Sequence, residues 1–260
     1  EQFAAATPLL IGAGLLVVTH GALGRDNLGF DTRNILTGGI QLPASAYGEP
    51  DRAIAFWVGL VRRVEALPGV TGVAYADGRP PDDVGNYNNF DLEEFPAASG
   101  QPQPVTAWVG VTPDYFKLLG LTLLQGKIYD EDEGRKERLE SIVVDRAWAT
   151  RFFPGQSAVG KRLKQGGCSQ CPWTTVIGVV SDVKYAGLQT PDRGSVYYPL
   201  GGDRFRYLVL RTRTDPAGVL PGVRQAVRDL DAGLPLSDVA TIDDLVGQSL
   251  QQPRSLSLLI

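Results

Sequence analysis

The residues best spaced for chemistry lie between positions 130 and 171. Gly155-Gln156-Ser157-Ala158-Val159-Gly160-Lys161 fills the first seven positions of a phosphate-binding P-loop, in which backbone amides and a lysine cradle a nucleotide. The eighth position must be Ser or Thr to reach the magnesium ion, and here Arg162 stands instead. Such a loop must also follow a strand and open a helix. This one follows the helix-like stretch Arg146–Phe153 and Pro154, so it is read as a structural turn. Asp130-Glu131-Asp132-Glu133 lacks the alternating ligands and central glycine of a calcium loop. The basic Arg135-Lys136 that follows fits a solvated helix start, with acids at the positive end of its dipole.

Cys168 and Cys171 form a CxxC between Gly166-Gly167 and Pro172. A zinc site of this type needs four ligands, and the single histidine, His20, is far away in sequence. The pair precedes the strand-like Trp173–Val180 rather than opening a helix. A local disulfide closing a hairpin is the preferred reading, with free thiols and redox or metal chemistry as the alternatives. A bridge would favour an oxidising compartment. No G-x-S-x-G or H-E-x-x-H occurs, and nothing singles out a carboxylate pair. The chain is therefore expected not to be an enzyme and to hold no cofactor or metal of its own. Trp57, Trp108, Trp148 and Trp173 are expected in the core.

Among the elements that must position these residues, the two ends stand out. Phe3 to Thr19 carries no charge, and Ser255 to Ile260 turns apolar again. A run of about 17 residues is at the lower limit for a spanning helix. It is read as the outer half of a transmembrane helix, against a buried core helix or a signal remnant. With no Met in 260 residues, the chain is expected to be a segment of a longer protein. Over the whole chain, 21% charged and 43% hydrophobic residues exclude wholesale disorder. A net charge of −4 argues against nucleic acid as a partner.

Asn34–Leu42 reads as a strand. Glu49-Pro50-Asp51 then opens a helix whose apolar face is Ile54, Trp57, Val61 and Val64 with Leu60 and Leu67 alongside, and Leu67-Pro68-Gly69 ends it before the strand Val70–Ala76. The same order returns as the strand Arg206–Arg213, a helix capped by Asp215-Pro216 with Val219, Val223, Val227 and Leu230 on one face, and the strand Ser237–Ile242. Two βαβ units imply an α+β fold with a split, ferredoxin-like sandwich interrupted by an inserted lobe. Gly78–Asn89 reads as a linker into that lobe. Its strands are placed at Pro104–Val111, Ser141–Asp145, Trp173–Val180 and Val196–Tyr198, and its helices at Pro113–Leu119 and Arg146–Phe153. Asp243–Leu250 reads as a final helix.

Several phrases carry a family resemblance. They are Leu28–Asn34 (LGFDTRN), Val111–Gly120 (VTPDYFKLLG) with Leu124-Gln125-Gly126, Phe153-Pro154-Gly155 with Gly160–Leu163, Val176–Val183 (VIGVVSDV), Tyr197–Leu200 (YYPL) and Gln252-Pro253-Arg254. Together the chain resembles the periplasmic core domain of MacB-type, FtsX-like ABC transporter permeases, in particular the duplicated orphan permease group. The Cys168–Cys171 turn departs from that pattern. The resemblance implies a porter-like subdomain built from residues 27–80 and 204–244, with an inserted sabre-like lobe over 81–203. It further implies transmembrane and stalk segments at 1–26 and 245–260. It also implies a cytoplasmic ABC ATPase, a second permease copy, a periplasmic adaptor or cargo, and a place in the bacterial inner membrane with this domain outside. The near-P-loop becomes structure, because ATP is bound elsewhere. The competing expectation is a membrane-anchored sensory domain with a ligand pocket between its lobes.

Overall fold

The computed structural model describes residues 28–96, 101–135, 139–185, 187–188, 193–200 and 205–256. The expected transmembrane run Phe3–Thr19, His20 and the last four residues, 257–260, lie outside them. Among the described residues no helix is long and apolar enough to cross a membrane.

The first module is a four-stranded antiparallel sheet. Its strands are β1 (Ile35–Gly39), β2 (Val70–Ala76), β10 (Tyr207–Thr212) and β11 (Ser237–Thr241), in the order β11-β1-β10-β2. Numbered within the module, that order is 4-1-3-2, the interleaving of two βαβ units. Short helix α1 (Ala44–Tyr47), α2 (Pro50–Glu65) and α5 (Leu220–Leu230) complete its helical layer. Period-two alternation gives β1, β2 and β10 two buried faces. Leu36, Val73, Tyr75, Leu208 and Leu210 pack with Phe56, Trp57 and Leu60 of α2 and Val223 and Val227 of α5. Ile35, Ala74, Ala76, Tyr207 and Val209 face the other way. Burying each large apolar side chain contributes about 1.5–3 kcal/mol, which is why α2 holds despite its undecorated N-cap.

The second module is a closed barrel. Strands β3 (Asn86–Leu92), β4 (Val105–Val111), β6 (Ser141–Asp145), β7 (Arg162–Gln165), β8 (Thr174–Val180) and β9 (Ser195–Pro199) form the ring β4-β3-β7-β8-β6-β9. A parallel β4–β9 ladder from Ala107↔Ser195 to Val111↔Pro199 shuts it. Edge strand β5 (Leu123–Gly126) joins β8 outside the ring. Phe90, Trp108, Ile142, Val144, Leu163, Val176 and Val196 share one cluster with Trp148 of α4 (Arg146–Phe152). Their strand neighbours Val109, Val111, Val143, Val180 and Tyr197 point to the opposite side, into the cluster that holds the outer face of the first sheet. The two modules therefore share one core. Helix α3 (Asp114–Leu118) and the first turns of α6 (Ile242–Leu256) are built into it.

Several expectations need correction. Of the expected α2 face, Trp57, Leu60 and Val64 are buried and Val61 and Leu67 pack against the same cluster, but Ile54 is 37% exposed, and Ala53 and Phe56 take buried positions beside them. The rings of Phe56 and Trp57 meet the sheet here, with Trp57 packed edge-on against Tyr75 of β2. The linker expected at Gly78–Asn89 ends early, because Asn86–Asn89 already pair with β4 from Trp108 to Val105. The polar β3 start, β5 and β7 carry too little apolar alternation to announce themselves as strands. The second acid-Pro start makes a 3₁₀ turn at Pro216–Gly218 before α5, with the Asp215 carboxylate accepting from the Ala217 amide at 2.9 Å.

Candidate functional site

The residues with chemical spacing do not converge. The 155–161 run leaves helix α4 and enters strand β7, the reverse of a P-loop's surroundings. Lys161 is tied to both Glu94 carboxylate oxygens at 2.7 and 2.8 Å. In the acidic run, the Asp130 carboxylate accepts from the Asp132 and Glu133 amides, which makes a turn. Among the described residues no three His, Cys, Asp or Glu are grouped to hold a metal ion. Cys168 and Cys171 sit in the β7–β8 connection with Sγ atoms 1.96 Å apart. A surface hollow of about 400 Å³ lies at the end of α5, lined by Arg224, Arg228, Leu234 and Leu236. All of these belong to the first module, so this hollow is not a cleft between lobes.

What the fold does bring together is a base and a seam. At the base, residues 28–34 run between the modules and the last helix. Leu28 and Phe30 are buried with Ile242, Leu245 and Val246 of α6. Thr32 Oγ1 donates to Asp243 Oδ1 at 2.6 Å, joining the leading segment to α6 directly. The Asp31 amide donates to Leu119 O at 2.8 Å, just beyond α3. Gly29 has φ of 79°, and any Cβ there would overlap the Asp182 carbonyl oxygen beyond β8, so only glycine lets the segment lie against the barrel.

Arg211, a charge in the otherwise apolar β10, staples the base. Its guanidinium donates to Leu118 O from Nε (2.9 Å) and Nη2 (2.7 Å), and from Nη1 to Asp31 Oδ2 (3.0 Å) and Arg33 O (3.2 Å). One side chain thus holds β10, α3 and the leading segment in fixed relation. The Arg33 side chain beside Asp31, aided by Arg211, holds the Asp31 carboxyl down at about 2 against the opposing effect of burial.

The seam is where the sheet meets the barrel. Strands β2 and β4 share a single ladder pair, Ala76↔Val111. Side chains extend it on both sides. Thr112 Oγ1 accepts from the Tyr75 amide at 3.0 Å. Asp77 Oδ1 accepts from the Gly110 amide at 2.8 Å, while the Asp77 amide donates to Gly110 O at 3.0 Å. The carboxylate thereby stands in for a backbone carbonyl, and its other oxygen accepts from Tyr198 Oη of β9 at 2.5 Å. Asp77 is buried, and desolvation pushes its carboxyl above the usual range, outweighing the Tyr198 and Gly110 hydrogen bonds and the nearby Arg206 charge. Next to the seam, Tyr115 and Tyr185 share a buried hydroxyl–hydroxyl bond of 2.7 Å, and burial raises both phenols.

Asp31 and Thr32 lie inside the quoted phrase Leu28–Asn34, whereas none of Asp77, Arg211 or Asp243 stands out by motif. The signals were an arginine inside an apolar strand and an Asp-Gly directly after one.

The periplasmic region of MacB from Actinobacillus actinomycetemcomitans has a similar fold, with a TM-score of 0.51, 14% identity, and coverage of 86% of this chain and 94% of that one. A permease-protein domain from Porphyromonas gingivalis aligns at TM-score 0.47 and 16% identity, covering 82% of this chain and 92% of that one. The extracellular domain of the noncanonic ABC-type transporter YknZ from Gram-positive bacteria aligns at 0.48 and 12%, covering 80% and 100%. Among curated proteins none matches the chain. A family model described as the MacB-like periplasmic core domain matches residues 9–230. The class is thus the extracytoplasmic domain of an ABC transporter permease. The chain belongs to the MacB-like periplasmic core domain family, on the periplasmic side of the inner membrane in a MacB/FtsX-type permease.

Proposed function

We propose that this domain is a rigid transmitter. It takes up displacement from membrane helices driven by a cytoplasmic ABC ATPase and delivers it to cargo or a periplasmic partner. The ATPase activity belongs to a separate domain or subunit, and a second permease copy completes the working unit. The observation that carries this is the base: the leading segment is bonded to α6 through Thr32–Asp243 and to both modules through Asp31, Arg211 and Gly29. A push arriving on either segment reaches the sheet and the barrel together, because the two share one apolar core.

In this reading the porter-like subdomain is the four-stranded module and the sabre-like lobe is the barrel with its appendages. Apolar segments on either side continue into the membrane. The Cys168–Cys171 bridge pins the β7–β8 tip under the oxidising conditions outside the cell. The test uses the full-length permease with its ATPase in nanodiscs. Replacing residues 250–256 by a Gly-Ser chain should leave ATP hydrolysis running while abolishing nucleotide-dependent movement of the domain. Unchanged movement would sink the reading.

A further inference from the structure

The surface hollow at the end of α5 takes no part in the base or the seam. Arg224 and Arg228 stand four residues apart on one face of the helix and both line it, with Ala232, Leu234 and Leu236 in the rest of the lining. Its volume of about 400 Å³ suits a short stretch of a visiting chain. Leu234 is buried and Leu236 packs against the same apolar cluster, so two guanidinium groups stand over an apolar floor. The hollow also has a defined place in the fold. Strand β1 leaves the base at Ile35 and reaches Gly38 and Gly39 beside Leu236 and Ser237, so the hollow lies at the end of the sheet away from the base.

Among the described residues no carboxylate lines the hollow, and the acids on either side of it are engaged. Asp229 accepts from Gln225 Nε2 at 2.6 Å. Asp231 accepts from Tyr47 Oη and from the Gly233 amide, both at 2.8 Å. Arg228 Nη2 donates to Gln225 Oε1 at 2.7 Å, and among the described residues Arg224 is in no ion pair and donates no side-chain hydrogen bond. Arg228 sits in the last turn of α5, where its charge suits the negative end of the helix dipole. Arg224 lies a turn earlier, where that effect has faded, so the dipole does not account for the pair. Forked guanidinium donors match a planar carboxylate, and above an apolar floor they select one carried beside an apolar group.

We propose that this hollow binds an acidic and apolar peptide segment of a partner outside the membrane. Arg224 and Arg228 hold its carboxylate, and Leu234 and Leu236 receive the apolar side chain next to it. A lipid also carries an anion beside an apolar chain, but the hollow lies at the wrong end for one. That choice of peptide over lipid rests on the transmitter reading, in which the base is the end that faces the membrane. The binding itself does not, because none of the lining residues belongs to the base.

The experiment uses the full-length permease with its ATPase in phosphatidylcholine nanodiscs, without nucleotide. The probes are short fluorescein-labelled peptides that alternate Leu, Val or Phe with Asp or Glu, capped at both ends, each with its Asn or Gln counterpart. Binding is read by fluorescence anisotropy. The best acidic peptides should bind about tenfold more tightly than their amide counterparts. Arg224→Gln and Arg228→Gln should each weaken them about tenfold, and Arg224→Lys should restore only part of the loss. Ala232→Trp fills the hollow without touching a charge and should remove binding, with the melting temperature of every variant unchanged. Acidic and amide series that bind alike, glutamine variants that bind like the wild type, or an Ala232→Trp protein that still binds would each overturn the site. Competition by phosphatidylglycerol vesicles or by inorganic phosphate as strong as that of unlabelled peptide would overturn it too, by assigning the arginines to lipid or to free anions. Because no nucleotide is present, failure here leaves the transmitter reading standing. Failure of nucleotide-driven movement would in turn leave peptide binding standing.

Discussion

Replacing Asp77 separates its two roles at the seam, as an acceptor and as a buried charge. Asp77→Ala strips the acceptor from the Gly110 amide and from the Tyr198 hydroxyl, both in a buried setting. Each unsatisfied donor costs about 1–3 kcal/mol, partly offset because the carboxylate no longer has to be desolvated. A net loss of roughly 2–4 kcal/mol follows, or about 4–16 °C in melting temperature for a domain of this size. Asp77→Asn keeps an oxygen for the Gly110 amide and turns an amide N–H toward the Tyr198 oxygen, so it should stay within about 1 kcal/mol of the wild type at neutral pH. The sign with pH follows from burial. Because the folded state raises the Asp77 carboxyl, its ionisation costs stability once pH rises above the unfolded value of 3.8 and through the folded one. The asparagine variant should therefore gain on the wild type between acid and neutral pH. Thermal denaturation of all three proteins across that range is the assay. Equal melting temperatures for the alanine and asparagine variants, or an asparagine variant that loses ground as pH rises, would refute the assignment of Asp77 as a surrogate carbonyl.

Three further outcomes are expected. Arg211→Lys keeps the charge but loses the fork shared by Leu118 O and Asp31, and should cost about 1–3 kcal/mol in denaturant unfolding; a neutral result would remove Arg211 from the base. Asp31 stabilises the fold fully above pH 3.8 and loses that contribution as pH falls toward about 2, so Asp31→Asn should flatten the acid limb of the stability curve, read by circular dichroism. The Cys168–Cys171 bridge closes a four-residue loop, so Cys168→Ser with Cys171→Ser should cost no more than about 2 kcal/mol, and thiol alkylation followed by mass spectrometry should find both sulfurs protected without reductant.

The paired βαβ units were legible because their strands and helices bury apolar residues at regular spacing. Val70–Ala76 and Ser141–Asp145 were placed to the residue. The closed barrel was not legible. Its ring depends on β3 and β7, whose polar sequences NYNNFDL and RLKQ become strands only because β4 and β8 offer edges to pair with. The exposure of Ile54 on α2 escaped for a related reason. The expected face Ile54, Trp57, Leu60, Val61, Val64 and Leu67 and the buried set Ala53, Phe56, Trp57, Leu60 and Val64 both fit a helical period, and the sheet beneath chooses at the first turns. The base and seam were hidden because their residues come together from positions as far apart as Thr32 and Asp243, and each is an ordinary polar residue in its local sequence.

The central claim is that sheet and barrel move as one body when nucleotide binds on the other side of the membrane. Spin labels at the exposed Arg228→Cys on α5 and Tyr87→Cys on β3 measure the distance between the modules, and fluorescence from Tyr87→Cys to acceptor lipids measures the distance to the membrane. In the full-length permease the account predicts one narrow inter-module distance, identical with and without an ATP analogue, while the membrane distance shifts. An inter-module distance that changes with nucleotide, or a membrane distance that does not, would contradict it.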